Sequence, residues 1–135
     1  MKRKQFVIVL AAVSIFFFLR GVIFCSTPAL AEQTLSAEEI RNLIFGNTVE
    51  AYSNIYNVEF KNFFGKNGAA VLVNGRGKRQ EGSWRINEAG EHCTKWEKKE
   101  ETCAVIIAVG DGTYKMVEKG EVRAIWKKVL SGSAL

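Results

Sequence analysis

The sequence has few of the residues on which catalytic and metal sites most often depend. Its 135 residues include a single histidine, His92, and a single proline, Pro28. The only aspartate, Asp111, stands between two glycines, a context in which aspartate favours a tight turn. No serine lies in a G-x-S-x-G nucleophile elbow, and no two cysteines have the C-x-x-C spacing of many metal sites. The sequence therefore predicts no catalytic residue, no cofactor site and no metal site.

Acidic residues are missing from the first 31 positions, and this absence sets the segment apart. Residues 2–4 are basic, residues 6–19 form an apolar run, and small residues precede Ala31. This order is typical of a secretory signal peptide. We expect cleavage after Ala31, so that residues 1–31 are the signal and residues 32–135 form one domain in the periplasm or outside the cell.

Two other interpretations of this segment stay open. An uncleaved anchor would need about 20 apolar residues, whereas the run ends at Leu19 and its extension would place the charge of Arg20 inside the membrane. A lipoprotein would be anchored through Cys25, but the preceding Phe24 is bulky where such signals have a small residue.

Loss of the signal would remove most of the apparent basic character of the chain. Residues 32–135 carry 15 Lys and Arg against 14 Asp and Glu, so their net charge is +1. Nucleic-acid binding needs a strong positive footprint on the domain itself. We therefore expect no nucleic-acid partner, and membrane contact only through the signal segment.

One helix is well marked. The hydroxyl of Ser36 and the carboxylate of Glu39 have the spacing of a capping box. Ile40 and Ile44 lie on one side of the helix that follows, which we expect to span residues 37–45.

The rest of the chain alternates short runs of β-branched and aromatic residues with turns rich in Gly, Asn and Asp, a pattern typical of antiparallel β structure. Because a long meander leaves two unpaired edges, closure into a barrel is favoured. We predict a mainly β fold: an antiparallel meander of about eight short strands, a closed or nearly closed small barrel, with one N-terminal helix and a mostly filled interior. The predicted strands are residues 48–52, 57–63, 69–74, 81–86, 92–97, 102–109, 113–118 and 122–129.

Two cysteines remain in the predicted domain. Cys93 and Cys103 flank a short turn, so a hairpin would place them opposite each other, and we predict a disulfide between them. The alternative is a metal site that adds His92, but it lacks a second histidine. Cys93 and Trp96 have opposite parity along the strand. Either a β-bulge turns both inward or the disulfide lies outside the sheet, and both possibilities stay open.

Five residues are predicted candidates for contact with a partner. Arg76, Lys78 and Arg79 form a basic, glycine-rich turn that either binds an anionic partner or is simply solvated. Phe63 and Phe64 are consecutive in a strand, so only one of them can face inward.

Candidates for acid–base chemistry are few. A histidine general base would have to be His92, although a strand or rim position is the simpler interpretation. A carboxylate pair would have to come from Glu50, Glu59, Glu81 or Glu91, and no spacing selects a pair.

Four short motifs are spread over most of the predicted domain. They are the helix start Leu35-Ser36-Ala37-Glu38-Glu39-Ile40, the strand motif Gly82-Ser83-Trp84, the hairpin Cys93-Thr94-Lys95-Trp96 with Cys103, and the late Asp111-Gly112-Thr113-Tyr114. Together they resemble a family of small exported bacterial domains of unknown function. The resemblance implies a lipocalin-like antiparallel barrel and no established activity.

Export and a β scaffold without catalytic motifs lead to our functional expectation. We expect a non-enzymatic binding or interaction protein of the cell envelope, inhibitor-like in size and plan, whose partner is an envelope or secreted protein. The first alternative is a carrier of a small apolar ligand in the barrel. The second is a hydrolytic enzyme that uses His92 or a glutamate pair.

Overall fold

The computed structural model describes residues 31–135, so the predicted signal peptide up to residue 30, with Cys25, lies outside the described residues. The predicted mainly β fold with one short helix is confirmed, and no strand boundary differs from its prediction by more than two residues. The elements are β1 (Gln33–Thr34), α1 (Ala37–Ile44), β2 (Asn47–Ser53), β3 (Val58–Phe64), β4 (Ala69–Asn74), β5 (Arg79–Ile86), β6 (His92–Trp96), β7 (Thr102–Ala108), β8 (Tyr114–Glu118) and β9 (Glu121–Ser131).

The eight strands β2–β9 form a closed antiparallel barrel. Each pairs with the next along the chain, and β9 returns to pair with β2. Sequence analysis missed β1, a two-residue strand that pairs with the end of β7 through Gln33 and Thr34. It is too short to show the alternation by which a strand is recognised.

The junction between β6 and β7 is the shortest in the barrel. Only three positions pair there, with Cys93 opposite Cys103 in the middle, whereas every other junction has four or more. The predicted disulfide joins these two cysteines. It therefore crosses the junction that has the fewest paired positions.

Helix α1 closes one end of the barrel. The predicted capping box is present: Ser36 Oγ accepts from the Glu39 amide at 3.2 Å, and Glu39 Oε2 accepts from the Ser36 amide at 2.7 Å. Ile40 and Ile44 are fully buried against large side chains of the barrel interior. The members of this packed cluster on the strands are Val49, Ala51, Phe64, Ala70, Trp84, Ile106 and Trp126.

Gly82 and Trp84 of the strand motif both have structural roles. A Cβ on Gly82 would lie 2.1 Å from the carbonyl oxygen of Lys95, so only glycine allows this close approach of β5 to β6. The Trp84 indole N–H donates to the carbonyl of Gly65 at 2.9 Å within the packed cluster. The motif is thus explained by packing, without reference to a ligand.

Candidate functional site

The interior of the barrel opens into a cup at the end opposite α1. Its volume is about 670 Å³. The apolar part of its wall comes from inward side chains of four different strands: Val58, Phe60, Leu72, Trp96 and Met116. The expectation of a mostly filled interior is therefore wrong for this half of the barrel.

The size of the inward side chains explains why one half is filled and the other is not. Near α1 they include Phe64, Trp84 and Trp126, whose rings lie within 6.1 Å of a neighbouring ring centroid. Towards the open end, several inward positions carry short or polar side chains. These are Ser53, Asn74, Gln80, Thr94, Thr102 and Ala124, and all six line the cup.

The mouth of the cup is basic. Arg76, Lys78 and Lys99 line it, and none of the three is within 4 Å of a carboxylate in the described residues. Arg123 also lines the mouth, but it is 3.4 Å from Glu118. Two turns supply the three unpaired cations, the β4–β5 turn and the β6–β7 turn.

Apolar side chains are exposed beside these cations. Ile55 and Tyr56 lie in the turn between β2 and β3, line the mouth, and are 40% and 67% exposed. The mouth thus combines two exposed apolar side chains with three unpaired cations.

His92 lies in strand β6, as one of the two positions considered for it, and not at the rim. It is buried in the packed half, between the rings of Phe64, Trp84 and Trp126, whose centroids are 4.9, 6.2 and 5.5 Å away. Its Nε2 has no hydrogen-bond partner among the described residues, and burial lowers the pKa of His92 to about 4. It does not line the cup.

The disulfide lies on the outer face of the barrel. β6 pairs with β5 in a regular register, so no bulge occurs between Cys93 and Trp96, and only Trp96 faces inward. This resolves the parity question. The alternative metal site is contradicted, because the two sulfurs are bonded to each other and His92 lies on the opposite face. The Glu101 carboxylate lies beside the two sulfurs, but it accepts a hydrogen bond from Arg85, which lowers the pKa of Glu101.

The predicted partner contacts do not form one surface. Arg76 and Lys78 meet at the mouth, whereas Arg79 lies on the outer wall 3.4 Å from Glu81. Phe63 is half-buried on the outer face. Phe64 is 1% exposed in the packed cluster, so as a partner contact it was a wrong prediction.

None of the four glutamates considered for acid–base chemistry lines the cup. Three form ion pairs on the outer wall: Glu50 with Lys61, Glu59 with Lys127, and Glu81 with Arg79. The fourth, Glu91, accepts a hydrogen bond from the side-chain amide of Asn87. Asp111 accepts from the amide and hydroxyl of Thr113, as a turn aspartate does, and these hydrogen bonds lower its pKa.

Sequence reasoning missed Lys99 and the wall of the cup. Lys99 belongs to a Lys-Lys-Glu segment, whose composition predicts only a solvated turn. Val58, Phe60 and Leu72 alternate with outward residues, as core residues also do. Only the closed register of the barrel shows that they face an unfilled space.

Fold and site together define a class: a small closed antiparallel barrel with a helix at one end and a ligand-sized cup at the other. The chain matches no protein-family model, and the search of curated proteins gives no match. The family resemblance stays a prediction. In the described part of the chain, no helix is both long and apolar enough to span a bilayer.

Proposed function

We propose that the protein is a non-enzymatic binding protein that holds a small apolar ligand in its cup. The observation that carries this proposal is the cup itself, about 670 Å³ in volume and open at one end. Sites for small molecules occupy about 300–1,000 Å³, are concave, and are lined mainly by apolar side chains with a few polar groups.

The wall chemistry favours an apolar ligand. Phe60, Leu72, Trp96 and Met116 expose apolar surface to the cup, and a ligand that covers this surface removes it from water. A carrier thus has more support than a hydrolytic enzyme, because His92 and the four glutamates lie away from the cup.

The proposal is tested by filling the cup. The variant Leu72→Trp places an indole in the cavity, and Val71→Trp on the same strand places one on the outer face. We expect Leu72→Trp to weaken binding of the neutral fluorescent probe N-phenyl-1-naphthylamine by about tenfold or more, and Val71→Trp by less than about twofold. Equal affinity in both variants, with folding confirmed by circular dichroism, would contradict the proposal.

Native mass spectrometry is the direct test. Protein isolated without detergent from its natural host is expected to carry extra mass that is released on denaturation. Repeated recovery of the bare polypeptide from such preparations would argue against a carrier.

We also propose that the domain is exported and that the signal is cleaved after Ala31. Support comes from the disulfide between Cys93 and Cys103, since structural disulfides persist in oxidising compartments. The mass of the natural product tests this proposal. A polypeptide that retains Met1 would contradict it.

A second candidate function is contact with an envelope or secreted protein at the mouth. The observation that favours it is the exposure of Ile55 and Tyr56 beside Arg76. Aromatic and arginine side chains contribute strongly to protein interfaces. A photo-crosslinker in place of Tyr56 is expected to capture a discrete partner in envelope extracts, whereas one at exposed Lys128 on the outer wall is not. The same products from both positions would overturn this candidate.

A further inference from the structure

We propose that the ligand is an amphipathic anion, with its apolar chain in the cup and its anionic head at the mouth. This inference rests on the proposed function and adds the chemical class and the orientation of the ligand. It follows from the distribution of charge around the opening.

The charges at the mouth are unbalanced. Arg76, Lys78 and Lys99 have no ion-pair partner among the described residues, and Glu118 is neutralised by Arg123. Glu100 is the one further carboxylate that lines the cup. Elsewhere on the surface that the structure describes, unpaired cations such as Arg41, Lys95 and Lys128 lie outside the cup, so what distinguishes the mouth is that three unpaired cations line one opening.

The Asn74 side chain fixes the backbone of the turn that carries two of the mouth cations. Asn74, itself a lining residue, accepts from the amide of Arg76 at 3.0 Å and from the amide of Lys78 at 2.9 Å through Oδ1. Its own amide donates to the carbonyl of Lys78 at 3.0 Å. The turn that carries these cations is thus ordered before a ligand binds, which lowers the entropy cost of binding.

Polarity changes along the axis of the cup. The cations lie at the water-facing end, and Phe60, Leu72 and Met116 lie deeper. A single-chain amphiphile with an anionic head matches this order. A cationic head would meet an opening lined by four cations and two carboxylates, and a neutral head would gain hydrogen bonds from these cations but no ion pair. Carboxylate and phosphate monoester heads share the required chemistry.

The test compares four ligands with the same chain: dodecanoate, dodecyl phosphate, dodecanol and dodecyltrimethylammonium. Titration calorimetry is done below the micelle-forming concentration on protein freed of endogenous ligand. We expect one or both anions to bind about tenfold more tightly than dodecanol, and the cation to bind most weakly. The affinity ratio of the two anions identifies the preferred head. Added salt should reduce the advantage of the anions.

Two variants of equal charge change separate the mouth from the rest of the surface. The mouth variant is R76Q/K78Q/K99Q. The control is R41Q/K95Q/K128Q, whose three exposed cations lie outside the cup and make no ion pair in the described part of the chain. We expect the mouth variant to weaken the preferred anion about tenfold and dodecanol less than about twofold, and the control to change neither by more than about twofold.

The outcomes distinguish the two proposals. If dodecanol binds as tightly as both anions, or if the control variant weakens anions as much as the mouth variant does, the anionic head is overturned and the apolar ligand stands. If none of the four ligands binds, the proposed function fails and this inference fails with it. Thermal unfolding of both variants verifies that the barrel is intact.

Discussion

The two halves of the barrel are built by the same strands and yet differ in content. At the α1 end, Trp84 and Trp126 fill the interior together with Ile40 and Ile44 of the helix. At the other end, the same alternation of inward and outward residues surrounds a cup of about 670 Å³. An eight-stranded barrel is wide enough either to be filled by side chains or to hold one small ligand. Side-chain volume, and not the strand pattern, therefore decides whether a half of this barrel is packed or open.

The largest expected effect is the difference in stability lost when one tryptophan is removed from each half of the barrel. Trp126 is 2% exposed and lies within 6.4 Å, centroid to centroid, of the rings of Phe64, His92 and Tyr114. We expect Trp126→Ala to lower the free energy of unfolding by about 3–5 kcal/mol, because it leaves a cavity in a packed core. Trp96→Ala at the cup wall should cost only about 1–2 kcal/mol, since its ring already borders open space. Urea unfolding measures both, and equal losses would break the comparison.

The second effect is a dependence of stability on pH that originates in the packed half. Burial lowers the pKa of His92 from 6.5 to about 4. The unfolded chain binds a proton at His92 below pH 6.5, whereas the folded chain does so only below about pH 4. Burial of the neutral imidazole therefore costs no unfolding free energy above pH 6.5. Below that value the unfolded chain gains the proton first, and the free energy of unfolding falls as the pH drops from 6.5 to about 4. The loss by pH 4 is about 3 kcal/mol.

The variant His92→Leu isolates this contribution. It keeps the carboxylates that also titrate in acid, so the difference in slope between the natural protein and the variant reports the histidine alone. We expect the variant to lose less unfolding free energy between pH 6.5 and pH 4. Parallel pH profiles would show that His92 is not held neutral by its surroundings.

The disulfide gives the third effect, and it concerns the wall that both halves share. Cys93 and Cys103 close a loop of sequence separation 10. The chain-entropy estimate for such a loop is about 2–3 kcal/mol. We expect C93A/C103A to lose about this much stability. Because β6 and β7 pair at only three positions, amides there should exchange faster, whereas amides of the longer β2–β3 junction should change only as global stability does. If amide exchange accelerated equally at both junctions, the disulfide would have no local role at β6–β7.

Several features of the fold were predictable because their causes are local. Turn residues and alternation located the strands, and the spacing of Ser36 and Glu39 located the helix start. The pairing of Cys93 with Cys103 followed from a tight hairpin, in which opposite residues are fixed by the turn. Each of these inferences needed only residues close together in the sequence.

The candidate site was less predictable because its causes are distant. Leu72 faces the cup and Ala70 faces the packed cluster, although both are inward residues of β4. Which end is filled depends on where an eight-residue helix, about 12 Å long, docks. The burial of His92 likewise depends on rings brought by β3, β5 and β9. The basic mouth joins Lys99 to Arg76 only when the barrel closes.

The smallest predicted effect asks whether the halves are independent. Ser36→Ala removes the acceptor for the Glu39 amide at the start of α1, outside the cup. We expect a loss of about 1 kcal/mol of unfolding stability, as for other N-cap substitutions. The affinity for N-phenyl-1-naphthylamine should stay within about twofold of the natural value, because no residue of α1 lines the cup. A larger fall in affinity would mean that the position of the helix sets the shape of the cup, so that packing at one end and binding at the other are coupled.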